Sequence, residues 1–102
     1  MYARMTLLEI DTLRTSVSDA VERFRAEVVP RLREQPGYLG VYALANPDGK
    51  AALLSLWDTA EHAAVEREFY TEELAKFTTF FRSAPGRDHY EVVFAEEPAP
   101  AR

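Results

Sequence analysis

The pattern of hydrophobic and polar positions along the chain divides it into six main segments. Four of them are short, apolar or alternating runs next to turn-forming residues, which is typical of β-strands. These predicted strands cover 2–10, 38–45, 51–57 and 89–95. The other two segments repeat apolar residues at steps of three and four, which is typical of amphipathic helices. The predicted order is strand, helix, strand, strand, helix, strand.

The stretch from Gln35 to Asp58 predicts a β-hairpin that organises the rest of the chain. Gln35-Pro36-Gly37 ends the preceding helix, because proline disfavours helical geometry in the residue before it. Asn46-Pro47-Asp48-Gly49 has the residues of a tight turn. Strand alternation places Tyr38, Gly40, Tyr42 and Leu44 on one face of the first strand, and Leu39, Val41, Ala43 and Ala45 on the other.

Neither hairpin strand alternates polar with apolar residues, so both faces of the sheet need cover. In a chain of 102 residues the helices can cover only one face. The other face therefore predicts a homodimer that associates through the sheet. The alternative is that solvent tolerates this alanine-rich face.

The first helix is predicted to begin at a Ser16 or Ser18 cap. Pro30 should kink this helix or split off its last turn, because proline lacks a backbone N–H group. The apolar stripe of the helix consists of Val17, Val21, Phe24, Val28 and Leu32.

The second helical region is predicted to begin at an Asp58 or Thr59 cap and to consist of two pieces. The first piece covers 60–69, and Thr71-Glu72-Glu73 predicts a new helix start. The stripe of the second piece consists of Tyr70, Leu74, Phe77 and Phe81, with Phe80 beside it. Ser83-Ala84-Pro85-Gly86 is expected to end this helix.

The order of elements is the split β-α-β arrangement of ferredoxin-like folds. It predicts an α+β protein in which both helices pack on one face of a four-stranded antiparallel sheet. Two copies joined through the other face would form a dimeric α+β barrel. Residues 1–95 are predicted to form a single domain and 96–102 a flexible tail.

Composition narrows the possible partners. Seventeen acidic and twelve basic residues give a net charge of −5, without a basic stripe, so nucleic acid and anionic membranes are poor partners. The chain has no cysteine, which excludes disulfides and thiolate ligands. No apolar run approaches the roughly 20 residues that span a bilayer, and no signal peptide is recognised. A cytoplasmic location is expected.

Two segments, VVPRLREQPGYLGVYAL and LLSLWDTAEHA, resemble the antibiotic biosynthesis monooxygenase-like family of dimeric α+β barrels. The shared features are a proline in the first helix, the QPG turn next to an aromatic residue, and a strand that ends in W-D-T-x-E. The resemblance covers the chain from about Met5 to Phe94. It implies a small cofactor-independent monooxygenase that acts on an aromatic, polyketide or quinol-type molecule. The alternative function is a non-catalytic ligand-binding or structural dimer.

The haem-degrading branch of that family uses an asparagine on the first strand, a tryptophan at the end of the third strand and a histidine well into the second helical region. Trp57 matches the tryptophan. Leu8 and Glu9 stand in the neighbourhood of the asparagine, and the segment from Tyr70 to Phe81 contains no histidine. The resemblance therefore implies neither haem nor another cofactor.

The candidate site residues each have a structural alternative. His62 is the candidate catalytic base, because an imidazole titrates near neutral pH, and the alternative is an exposed helix histidine. His62 and Glu66 have the spacing of a metal pair, but without a third ligand no metal site is predicted. Core packing or surface pairing is the alternative for the predicted ligand pocket, which consists of Trp57, Arg4, Tyr42, Tyr70, Phe69, Phe77 and Phe81.

Overall fold

The computed structural model of the chain describes residues 1–77, 80–82 and 86–96, with the side chains at 65–67, 70, 74 and 87–89 excepted. Its strands are β1 (Tyr2–Glu9), β2 (Tyr38–Ala45), β3 (Lys50–Trp57) and β4 (Gly86–Glu91). Its helices are α1 (Val17–Arg23), α2 (Val29–Arg33) and α3 (Ala60–Ala75), and a π-helical turn at Phe24–Val28 joins the first two. The predicted order of elements is confirmed.

The four strands form one antiparallel sheet in the order β2-β3-β1-β4. This order confirms the predicted ferredoxin-like α+β fold, since each helical connection crosses over a strand that lies between its neighbours. The register pairs Tyr2 with Trp57 at one end of the sheet and Glu9 with Lys50 at the other. We call the first the Trp57 end and the second the hairpin end. Within the described residues, no helix is long and apolar enough to cross a membrane.

The first helical region begins at Ser16, whose Oγ accepts a hydrogen bond from the Asp19 backbone N–H at 3.0 Å. The predicted interruption at Pro30 is also confirmed. Proline lies in the first turn of α2, directly after the π-helical turn. A wider turn there accommodates a ring that would otherwise collide with the carbonyl group four residues earlier. Val28, before this interruption, and Leu32, after it, are both fully buried.

The hairpin follows its predicted boundaries except that β3 begins one residue earlier, at Lys50, and its turn is built by Asn46. The Asn46 side chain accepts hydrogen bonds from the backbone N–H groups of Asp48 and Lys50, at 3.0 and 3.1 Å. One predicted face is wrong. A register shift between Tyr38 and Gly40 turns Tyr38 toward the helices, where it pairs with Trp57. A β-bulge produces such a reversal because it adds one unpaired residue to a strand of period two.

The prediction that the second helical region consists of two pieces is wrong, because α3 runs without a break from Ala60 to Ala75. Glu73 was interpreted as part of a helix start. It is instead buried, and it forms ion pairs with Arg31 of α2 and with Lys76. No glycine or proline stands in 60–75 to interrupt the helix. The predicted cap at Thr59 is confirmed, since its hydroxyl accepts from the His62 N–H at 3.2 Å.

The last strand begins and ends earlier than predicted, at Gly86 and Glu91 instead of His89 and Ala95. The reason is the length of its partner. Tyr2 of β1 pairs with Glu91, and the Val92 N–H makes a last hydrogen bond to the Met1 carbonyl. Residues after this point lack a partner strand among the described residues. The predicted terminator at 83–85 and the predicted tail at 97–102 lie outside the described residues.

The two faces of the sheet differ in their cover. Arg4, Thr6 and Leu8 of the central strand β1 face the helices and are buried. Leu7 and Tyr42 on the opposite face are each 56% exposed, and Tyr90 is 50% exposed. The helices thus cover a single face, as predicted.

Candidate functional site

A cavity opens at the hairpin end, between the covered face of the sheet and the helical layer. Its enclosed volume is about 70 Å³, and about 640 Å³ when the open space at its mouth is included. Its walls come from β1, β2, β3, α1 and the segment after α3. The lining residues among those described are Leu8, Ile10, Thr15, Ala20, Val21, Arg23, Phe24, Ala43, Leu44, Ala45, Ala51, Leu53, Phe77, Phe80 and Phe81.

The cavity exists because the residues that form its floor are small. The floor includes two cross-strand pairs of the hairpin, Ala43 with Leu53 and Ala45 with Ala51. Three of these four residues are alanines. Ala20 contributes a similarly small side chain from α1. Protein interiors are otherwise packed as densely as organic crystals. Methyl groups at these facing positions leave a space that larger side chains would fill.

The outer wall of the cavity consists of Phe77, Phe80 and Phe81, which follow α3. This segment is fixed to the end of β1. The Asp11 N–H donates to the Phe80 carbonyl at 2.6 Å, and Phe81 forms a β-bridge with Ile10. Three aromatic rings thus face the methyl groups across the cavity, which makes a site suited to a flat apolar ligand.

Arg23 is the only charged residue among the described lining residues. Its guanidinium carbon lies 5.1 Å from the centre of the Phe77 ring and 5.0 Å from that of Phe80. These are cation–π distances. Its Nη2 also lies 3.4 Å from a carboxylate oxygen of Glu27, in an exposed ion pair. The mouth of a cavity whose other described lining residues are apolar, except for Thr15, therefore carries one positive group.

Trp57 lies at the opposite end of the sheet and is not among the lining residues. Its side chain is 1% exposed, and its indole N–H donates to the Ser55 hydroxyl at 3.0 Å. The Tyr38 ring packs against it edge-on, with ring centres 5.7 Å apart. Burial raises the pKa of the Tyr38 hydroxyl above its ordinary value. This arrangement is a filled core.

His62 stands at the Trp57 end as well, on the first turn of α3. Its Nδ1 lies 2.6 Å from Asp58 Oδ1, and the two side chains are 38% and 46% exposed. The hydrogen bond from His62 holds the pKa of the Asp58 carboxyl below its ordinary value. Gly37, at φ +79°, lies against this pair so closely that a side chain there would collide with it. Trp57 and Ala51 are six positions apart along β3, a distance of about 20 Å at the usual rise per residue.

The structure brings only two of the predicted pocket residues, Phe77 and Phe81, into the cavity. Arg4 is buried in the middle of the sheet, where its Nη1 donates to the Ala63 carbonyl at 3.2 Å. Phe69 is a core residue under the Arg31 guanidinium. Tyr42 faces outward from the uncovered sheet face. The side chain of Tyr70 lies outside the described part of the chain.

Sequence analysis missed Arg23 and the alanines of the floor. The signal for Arg23 was present, because it lies three residues after Ala20 and next to Phe24, at the border of the apolar stripe. The rings beneath it come from residues more than fifty positions later. Periodicity within one helix cannot show such a contact. Among the described residues, no group of three His, Asp or Glu side chains could hold a metal ion.

The shape of the chain matches known structures over nearly its whole length. A monooxygenase of Streptomyces coelicolor, solved in complex with the ligand nanaomycin D, is 18% identical and has a TM-score of 0.72, with coverage of 96% of this chain and 92% of that chain. The chain has the fold of the antibiotic biosynthesis monooxygenases. Another structure of that name is 15% identical, with a TM-score of 0.69 and coverage of 91% and 99%.

The antibiotic biosynthesis monooxygenase fold does not by itself fix a function. A protein of unknown function from Nitrosomonas europaea is 22% identical, with a TM-score of 0.67 and coverage of 97% of this chain and 95% of that chain. No family model and no curated protein matches the sequence. The predicted resemblance is thus confirmed at the level of the fold, and the activity has to be argued from the cavity.

Proposed function

We propose that the protein is a small oxygenase that needs no cofactor and acts on an aromatic phenol, quinol or related polyketide in the hairpin-end cavity. The observation that carries this proposal is the cavity itself, a largely apolar space lined by four phenylalanines with one cation at its mouth. Its enclosed volume is about 70 Å³, below the usual range of small-molecule sites, about 300–1,000 Å³, so an aromatic ligand would also occupy the open mouth.

The reaction proposed for this site takes its electrons from the substrate. A phenol with an unsubstituted para position reacts with O₂ to give a para-quinone and water. One oxygen atom enters the ring, the other leaves as water, and the four electrons that reduce O₂ come from the ring. The protein would bind the ring, exclude water and stabilise the anion that transfers the first electron. The apolar walls and Arg23 are suited to these tasks.

The transfer of the phenolic proton restricts which substrates fit. None of the described lining residues is a histidine, an aspartate or a glutamate. His62 pairs with Asp58 at the Trp57 end of the sheet, away from the cavity, so this proposal does not assign it the proton transfer. The substrates expected are therefore phenols acidic enough to ionise in water before they bind.

The absence of a base from the described lining residues also favours a second candidate. A protein that binds aromatic anions without converting them needs the same apolar walls and the same cation, but no base. Such a binding protein would show saturable affinity for these molecules and no turnover. Oxygen consumption separates the two candidates.

The test is oxygen uptake at neutral pH with a panel of phenols, quinols and phenolic polyketides that are ionised at that pH, corrected for autoxidation with heat-inactivated protein. We expect uptake with at least one class and its loss in Ala51→Phe, which fills the floor of the cavity. Ala26→Phe, an exposed position in the helical region, is the matched control and should retain activity. Uptake that survives in Ala51→Phe would place the reaction elsewhere, and saturable binding without uptake would favour the binding protein.

We also propose that two copies associate through the uncovered face of the sheet. This face exposes about half of Leu7, Tyr42 and Tyr90, and contiguous exposed apolar area usually marks an interface. Light scattering on the eluted protein should give the mass of a dimer. Leu7→Lys should yield the monomer, whereas Leu13→Lys, at a loop position that is 92% exposed, should not. A monomeric wild-type protein would refute this proposal.

A further inference from the structure

We infer that Arg23 makes the hairpin-end cavity selective for flat apolar ligands that carry an ionised oxygen, the class of aromatic carboxylates and phenolates. The inference rests on the proposed role of the cavity as the ligand site. It goes further because it names the protein residue that determines specificity and assigns a negative charge to the ligand. Neither follows from the fold.

The position of the Arg23 side chain supports this assignment. The guanidinium lies about 5 Å from the centres of two rings, Phe77 and Phe80, both of which line the cavity. Rings at that distance hold a guanidinium by cation–π attraction and leave the N–H groups at its edge for polar partners. Arg23 is thus held by the wall that a ligand would touch.

Charge within the site points to an anion. An ionised oxygen in an apolar space loses its hydration and must find a donor or a counter-ion. Arg23 supplies both, and Thr15 is the one hydroxyl residue among the described lining residues. The chain as a whole has a net charge of −5, so its average field does not attract anions. Selectivity for an anion at this cavity would therefore depend on Arg23.

Glu27 competes with the ligand without occupying the cavity. Its carboxylate pairs with Nη2 of Arg23 at 3.4 Å, a long contact, and its side chain is 52% exposed. Glu27 is not among the lining residues. An exposed pair of this kind is weak because water screens it. A guanidinium carries five N–H donors, so a ligand anion can approach from the cavity side.

The experiment uses two probes of equal size, 2-naphthoate and 2-naphthamide, which differ in charge at pH 7. Calorimetric titration of the wild-type protein should show tighter binding of the naphthoate. Arg23→Gln should weaken naphthoate binding by about tenfold to a hundredfold, the usual effect of losing a hydrogen bond to a charged group. Naphthamide binding should change by less than about threefold. Arg25→Gln removes an arginine two positions away that pairs with Glu22, and it should leave both affinities unchanged.

The outcomes separate this inference from the proposed function. Equal affinity for the two probes, or a naphthoate affinity that is the same in Arg23→Gln, overturns the role of Arg23 while the cavity remains a binding site. If neither probe binds at millimolar concentration, both the inference and the cavity as a ligand site fail. If Arg25→Gln weakens the naphthoate as much as Arg23→Gln, the effect is one of general charge and the inference is wrong.

Discussion

The two ends of the covered face lie between the same sheet and the same helical layer, but the Trp57 end is filled and the hairpin end is hollow. At the Trp57 end, Trp57, Leu32 and Ala63 are each at most 2% exposed, and Tyr38 packs on the indole. At the hairpin end the same sheet carries Ala43, Ala45 and Ala51, and the layers enclose a cavity. The strands and the helical layer extend over both ends, but the side chains on the strands are smaller at the hairpin end. A filled core and a candidate ligand site can therefore arise within one small sheet from side-chain volume alone.

The largest expected effect is at the filled end. Trp57→Ala removes the largest fully buried side chain of the described residues together with its hydrogen bond to Ser55. We expect the free energy of unfolding to fall by about 3–5 kcal/mol, the usual cost of such a truncation. Urea denaturation monitored by circular dichroism measures this. A loss below about 1 kcal/mol would mean that the Trp57 end is less tightly packed than the structure shows.

A matched pair of substitutions tests the comparison itself. Ala63→Leu at the filled end adds three carbons where there is no space, and should cost about 1–3 kcal/mol of unfolding free energy. Ala51→Leu adds the same three carbons beside the cavity and should cost less than about 0.5 kcal/mol, or stabilise the protein. Thermal and urea denaturation of both variants give the two values. Equal costs at the two ends would contradict the proposed difference in packing.

An intermediate effect is expected at the two ion pairs of Glu73, one of which joins α3 to α2. Glu73 is buried, with its carboxylate near Arg31 and Lys76. Both cations are about half exposed, so solvent screens part of the attraction. Glu73→Gln should lower the unfolding free energy by about 1–2 kcal/mol. The exposed neighbour substitution Glu72→Gln should change it by less than about 0.5 kcal/mol. The same loss in both variants would show that the effect is not due to the buried pairs.

The elements of the fold were predictable because each carries its signal locally. The Asn46 turn, the Ser16 cap and the Pro30 interruption depend on residues within a few positions of one another. The errors have non-local causes. The local sequence around Glu73 predicts a helix start. The true role of Glu73 depends on Arg31 in another helix, a contact that the local sequence does not show. The last strand was placed too late because its end depends on where β1 begins.

The candidate site was predicted only in part for the same reason. Two of its phenylalanines, Phe77 and Phe81, are predicted from the sequence, but periodicity alone does not show which end of the sheet is hollow. That depends on which alanines face each other across strands and on where the segment after α3 returns. Trp57 and His62 are predicted as site residues because an indole and an imidazole are chemically distinctive. In the structure Trp57 packs in the core, and His62 pairs with Asp58 at the start of α3. Arg23 was overlooked because its environment is assembled from distant parts of the chain.

The smallest effect concerns the exposed Asp58–His62 pair at the Trp57 end. The pKa of Asp58 in the folded protein lies below its ordinary value of 3.8, chiefly because His62 donates a hydrogen bond to it. The folded state therefore binds the Asp58 proton less readily than the unfolded state. The stabilisation is present above pH about 3.8 and is lost as the pH falls through the lower folded pKa. Asp58→Asn should lower the melting temperature slightly at pH 5, and this difference should shrink by pH 3.

The control for this last prediction is Asp48→Asn, which changes an exposed carboxylate in the hairpin turn. Its melting temperature relative to wild type should not follow the same pH profile. An Asp58→Asn difference that is as large at pH 3 as at pH 5 would show that the pair stabilises the fold through packing against Gly37 rather than through charge. In that case the Trp57 end would rely on close contact even at its surface, and its contrast with the hollow hairpin end would be sharper still.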